Sequence, residues 1–252
     1  MNVLVSKKSW MLAPATFVVG IAALVTCWAV MEPADLIANF DADGHSPFEL
    51  MTLPLFAAIA PLAWLCCPVA GSARRRAFWC FTFSFLAFMA LVRELDWHKA
   101  WVAMLWPDVV ASFRGTAFKM RFLTSSTVPF APKAFVALFF AAFFAATIGP
   151  LAYFGRRLVK GIFRLHPVAW TVAVFGATGV MVQTFDRLPS MLRNAEVLSP
   201  ALLNKSSGTL AALFTALEEG SEMLLAIFAL LAILQAHAIY SPDAPDASFA
   251  DL

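Results

Sequence analysis

Charge is scarce in this chain. Lys, Arg, Asp and Glu make up 13% of its 252 residues and leave a formal net charge of +2. Ordinary soluble domains carry roughly twice that charged fraction, so a fully hydrated globular surface is excluded, and no nucleic-acid partner is expected. Cysteine is equally sparse. Cys27, Cys66, Cys67 and Cys80 fall inside or at the ends of apolar stretches and none lies in a long polar connection, which excludes a disulfide framework. The adjacent Cys66 and Cys67 read as small packing residues. Glycine spacing forms no phosphate loop, and no metal-finger or haem-attachment spacing is present.

What remains is apolar: 61% of residues are hydrophobic, with 25 Phe and 8 Trp, and the mean hydropathy is +0.78. A bilayer core about 30 Å thick needs about 20 mostly apolar residues at 1.5 Å each. Six such runs appear near 11–31, 50–67, 77–97, 134–155, 167–186 and 210–235. Backbone groups in lipid must pair internally, so each run predicts a helix. The expected fold is therefore an all-α polytopic membrane protein, a single transmembrane domain over 1–252 with a short acidic tail at 240–252. The first run follows Lys7 and Lys8, but its apolar core is longer than that of a signal peptide and no small-x-small site follows, so a retained anchor is expected.

Orientation follows from Lys and Arg in short connections. Nine basic residues lie on the side of the N-terminus and eight on the other, so totals do not decide. Density does. Lys7, Lys8, Arg74, Arg75, Arg76, Arg156, Arg157, Lys160 and Arg164 crowd against span ends, whereas the other eight are spread over two longer connections. Both termini are expected in the cytoplasm, with the protein in the cell inner membrane.

The third run, sixteen uncharged residues from Ala77 to Val92, ends in five ionisable side chains: Arg93, Glu94, Asp96, His98 and Lys99. Glu94 lies about 26 Å from the start of its run at 1.5 Å per residue, and Glu218 lies about 26 Å from Gln235 on the last run. Glu49 and Asp186 fall at about 27 and 29 Å on two further runs. Four spans thus bring carboxylates to one outer level, and an outward-facing polar site is expected there.

Helical spacing sorts these groups. Glu94 and His98, four apart, share a face, and so do Glu218 and Glu222. Carboxylates this close repel unless a cation, a proton or an Arg relieves them, and Arg93 and Arg187 are the candidate ion-pair partners, Arg93 with Glu219 or Glu222 and Arg187 with Asp186. A purely structural ion-pair network is one reading. The other is a site with Glu94, Asp96, His98, Asp186, Glu219 and Glu222 as catalytic candidates, and Glu94, His98, Glu218 or Glu219, and Glu222 as ligands of a divalent Zn, Mn or Fe. One histidine in the cluster is too few for the paired E-x-x-H motifs of di-iron bundles. His45 lies in the outer first connection, while His166 and His237 fall at the opposite, cytoplasmic ends.

The longest connection, residues 100–131, shows apolar residues at helical spacing from Trp106 through Val109, Val110, Phe113, Ala117 and Met120. It predicts an amphipathic helix lying in the outer interface. Arg114, Lys119 and Arg121 on its polar face are candidate headgroup contacts. Pro54 and Pro61 are expected to kink the second span.

No characterised family is recognised in these residues. The positions expected of an inverted repeat are not filled, since only His237 stands where the third span's cluster would have its mate. Three function classes follow: a membrane-embedded, metal-dependent enzyme acting on a lipid or lipid-linked substrate; a proton- or cation-coupled transport protein; and a structural or partner-binding subunit, as oligomer or with another protein.

Overall fold

In the computed structural model, residues 4, 8–41, 46–66, 73–95, 97–112, 120–196, 198–204 and 207–240 are described. Among them every regular element is helical: a 3-10 turn at Ser9–Met11, then α1 (Leu12–Val30), α2 (Pro33–Phe40), α3 (Pro47–Cys66), α4 (Ala73–Glu94), α5 (Trp97–Leu105), α6 (Pro107–Ser112), α7 (Met120–Thr124), α8 (Phe130–Phe163), α9 (Pro167–Asn194) and α10 (Thr209–Tyr240). Six are long and apolar enough to cross a membrane: Ser9–Val30, Pro47–Cys66, Ala77–Glu94, Phe130–Pro150, Pro167–Asn194 and Thr209–Tyr240. Each overlaps one of the six runs read from the sequence. Side chains that would strain such helices are satisfied locally, as the hydroxyls of Thr26, Thr52, Thr82, Thr178 and Thr184 donate to carbonyls four residues back.

The last helix, α10, is the centre of the bundle and packs against α9, α3, α1 and α2. Its long line of buried residues runs from Ala211 to Ile239. Small residues let α1 approach closely. A methyl group on Gly220 would lie 2.4 Å from the Leu24 side chain, and one on Gly20 would lie 2.9 Å from Leu224. The two Gly–Leu contacts are reciprocal, each leucine seated on the other helix's glycine, an arrangement suited to helices that must pack without a hydrophobic drive between them.

Two features depart from expectation, and a third falls partly outside the described residues. Helix α4 ends at Glu94 and the next helix starts at Trp97, so the third span stops short of 97, and Glu94 and His98 do not share the face of one continuous helix. The described part of the 100–131 connection carries the short α5, α6 and α7, with Pro107 starting α6, since proline cannot continue a helix from Trp106 but is well suited to begin one. The amphipathic pattern read from Trp106 continues through 113–119, which lie outside the described residues. Val102, Val109, Phe122 and Val128 of the connection are buried against Val136 of α8, with Trp106 and Phe135 beside them, so its apolar side faces protein. Finally, α8 runs on to Phe163 and α9 to Asn194, so Arg156, Arg157 and Lys160 sit on a helical extension rather than in a loop. The turn joining α8 to α9 is tight, with Leu165 at φ 55°.

At the end of the bundle where α2 sits, Leu36 and Phe40 are buried against Leu24, Ala212, Ala216 and Leu217, and Phe40 stacks on Phe48 with ring centroids 4.3 Å apart. The Trp28 indole donates to the Thr209 carbonyl at 2.9 Å. These contacts fix the ends of α1, α3 and α10 around the level reached by Glu94. The opposite end is held by a separate polar set. Thr171 donates to Gln235 at 2.6 Å, Gln235 donates to the Ser9 carbonyl at 3.4 Å, and His237 Nδ1 lies 3.0 Å from the Cys66 carbonyl.

Candidate functional site

The packing of α10 explains where its acidic residues point. Successive helical residues are about 100° apart, so Glu218 and Glu222, two positions either side of Gly220, lie roughly opposite it. With Gly220 pressed on Leu24 of α1, those two carboxylates are carried to the far side of α10. There they meet α4. The Arg93 guanidinium pairs with the Glu222 carboxylate through Nη1 and Oε1, and its Nη2 lies 3.8 Å from Glu218 Oε1. Glu222 is only 2% exposed, whereas the Arg93 side chain keeps half of its surface free.

Carboxylate oxygens of Glu94, Glu219 and Glu222 lie within 4.8 Å of one another. Two helices therefore bring three acids and one arginine into a space a few ångströms across. Three carboxylates and a single guanidinium leave an excess of negative charge, and in a span the excess must be offset by protons or by a cation.

Further acids surround this core. Asp186 of α9 and Asp41, just past α2, act electrostatically on Glu218, and Glu49 at the start of α3 acts on Glu94 and Glu219. Acids of four helices thus lie near one another. Glu49 has a local task as well. It accepts from the Ser46 backbone N–H at 2.8 Å, while the Ser46 hydroxyl accepts from the Glu49 N–H at 3.1 Å, the reciprocal capping box that starts α3. The signature Ser-x-x-Glu at 46–49 is visible in the sequence.

The candidate residues divide accordingly. Arg93, Glu94, Glu218, Glu219 and Glu222 are brought together, with Glu219 rather than Glu218 completing the close carboxylate trio. Asp186 lies at the margin, exposed. Arg187 makes no ion pair with Asp186 among the described residues, and its carbonyl accepts from the Ser190 hydroxyl at 2.7 Å. Asp96, His45, Arg114 and Lys119 lie outside the described residues, as do the side chains of His98 and Arg121. His166 and His237 belong to the other end of the bundle, where the Tyr240 hydroxyl lies 3.3 Å from His166 Nε2 and the two rings stack. Gln235, read from the sequence as a span end, proves fully buried.

Six apolar helices without a strand among the described residues fit the class of helical multi-pass membrane proteins. Compared with protein-family models, with curated proteins and with solved structures, the chain matches none.

Proposed function

We propose that this is a multi-pass inner-membrane protein with both termini cytoplasmic, in which Glu94, Glu219 and Glu222 form the cation-binding part of an outward-facing site that serves metal-dependent chemistry on a lipid or lipid-linked substrate. The observation that carries the reading is the convergence of three carboxylates from two spans within 4.8 Å, beside one arginine. Charges inside a span are costly and mark ion or substrate sites more often than they mark packing. An all-oxygen set suits Mg2+, Mn2+ or Ca2+, and a nitrogen ligand such as His98 would be needed to favour Zn2+ or Fe2+. The metal would act by polarising an oxygen of the substrate or by activating water. Arg93, half exposed beside the trio, would neutralise an anionic group drawn to it.

The test is elemental analysis of the purified protein with Glu222→Gln and Glu219→Gln alongside. Stoichiometric divalent metal in the native chain, lost in both variants while each remains folded, is the expected result. Metal-free protein of full stability would end this reading. A proton- or cation-coupled transport protein is the second reading, favoured by the closeness of the Glu94 and Glu222 carboxylate oxygens, within 4.8 Å of each other, because neighbouring carboxyls in a span can hold a proton in place of a metal. Flux through reconstituted vesicles that is abolished by Glu94→Gln, without bound metal, would select it.

A further inference from the structure

A groove of about 600 Å³ runs along the first three turns of α8, lined by Leu123, Phe130, Ala134, Ala137, Leu138 and Ala141, with Lys133 at its head. Small side chains at 134, 137 and 141 recur at helical spacing along this open face, and the larger Leu123, Phe130 and Leu138 border it, Phe130 being 84% and Leu138 71% exposed. From Phe130 to Ala141 the groove covers about 16 Å at 1.5 Å per residue, roughly half of the about 30 Å hydrocarbon core, which is the depth of one leaflet. Its head lies at the end of α8 that follows Glu94, the same end as the carboxylate site. Lys133 is half-buried there and has no carboxylate within 4.0 Å among the described residues, so its charge is open to a ligand.

We propose that this groove holds one acyl chain of an anionic phospholipid, with the Lys133 ammonium on the headgroup phosphate. An open apolar groove one leaflet long with a single cation at the headgroup level matches both halves of such a molecule, and a basic residue at the membrane surface is attracted to anionic lipid. The proposal rests on the groove alone and stands or falls apart from the metal site. Lys133 would distinguish anionic from zwitterionic lipid, and the alanines would admit the chain.

The full-length protein, reconstituted in nanodiscs of equal phosphatidylglycerol and phosphatidylethanolamine, is released into the gas phase and its retained lipid weighed by native mass spectrometry. The native chain should retain phosphatidylglycerol severalfold over phosphatidylethanolamine. Lys133→Arg should keep that preference, Lys133→Gln should erase it, and Ala137→Phe or the milder Ala141→Leu should reduce retention of both lipids. Wild-type preference in Lys133→Gln together with undiminished retention in the two groove-filling variants would overturn the proposal. So would a native dimer that Ala137→Phe converts to monomers with bound lipid unchanged, since the groove would then receive a second copy of the chain.

Discussion

Arg93 meets Glu222 across the gap between α4 and α10, at a point where the carboxylate is almost sealed from the surface and the guanidinium is half open to it. The asymmetry matters. Removing Arg93 strands a buried acid, whereas removing Glu222 leaves a cation that can reach Glu218, 3.8 Å away.

Arg93→Gln should therefore destabilise the protein more than Glu222→Gln. Breaking a buried pair costs about 3–5 kcal/mol, and the exposure of Arg93 brings the expectation down to about 2 kcal/mol. The double variant should recover part of that loss, because neither charge is left unmatched. Thermal unfolding of the four proteins in one detergent measures the cycle. Strict additivity would show that the pair is incidental.

The α1–α10 contact offers a test of what aims the acids. Gly220→Ala places a methyl group on Leu24 inside a buried cluster, and overpacking of this kind costs about 1–3 kcal/mol. Gly176→Ala, on a stretch of α9 where the added methyl meets nothing within 4 Å, should be neutral or slightly stabilising, since alanine is the better helix former. Adding Leu24→Ala to Gly220→Ala should relieve the crowding. Equal stability of the Gly220 and Gly176 variants would mean that α1 does not fix the rotation of α10.

The same contact shows where sequence reading stops. Six long apolar helices were legible because uncharged runs of membrane length are a one-dimensional signal, and a partner for Arg93 at Glu219 or Glu222 was legible because carboxylates so closely spaced need a nearby cation. That Glu219, not Glu218, joins Glu94 and Glu222 was not legible. Adjacent acids on α10 differ by about 100° in direction, and the choice between them depends on how Gly220 seats against Leu24, a tertiary contact with no local signature. The start of α6 did carry its own signal in Pro107, which sits at the first position of that helix directly after Trp106, where the apolar periodicity begins.

Glu49 should separate from the rest of the acids. Its carboxylate caps the Ser46 backbone N–H, so Glu49→Ala should cost about 1 kcal/mol of stability, the usual worth of a helix cap. Any metal bound by the trio should remain. Loss of metal in Glu49→Ala, at unchanged stability, would bring Glu49 into the site and displace the capping account.

Sidedness can be read with thiols. In a chain cleared of its native cysteines, Ser72→Cys in the connection between α3 and α4 should be protected from an impermeant reagent applied from outside the cell, and Ser199→Cys between α9 and α10 should react. The reverse pattern would turn the carboxylate level toward the cytoplasm.

The last prediction concerns His98, which lies in the first turn of α5 (Trp97–Leu105), beyond the end of the span that carries Glu94. If it swings into the carboxylate trio, it supplies the only imidazole at that end among the candidate ligands, and the set changes from three oxygens to three oxygens and a nitrogen. Imidazole favours Zn2+ and Fe2+, whereas carboxylate oxygens alone suit Mg2+, Mn2+ and Ca2+. Competition among these ions for the native protein and for His98→Ala therefore reports its role without an assay of activity. Preference for Zn2+ or Fe2+ in the native chain, lost in His98→Ala while Mn2+ or Ca2+ binding survives, is expected of a ligand. Both proteins should melt at nearly the same temperature without metal, since a side chain outside the span is inexpensive to remove, and Glu222→Gln should bind none of these ions. An unchanged order of ion preference in His98→Ala would leave the trio to act through oxygen alone, and a His98→Ala protein as unstable as Arg93→Gln would assign the histidine to the scaffold.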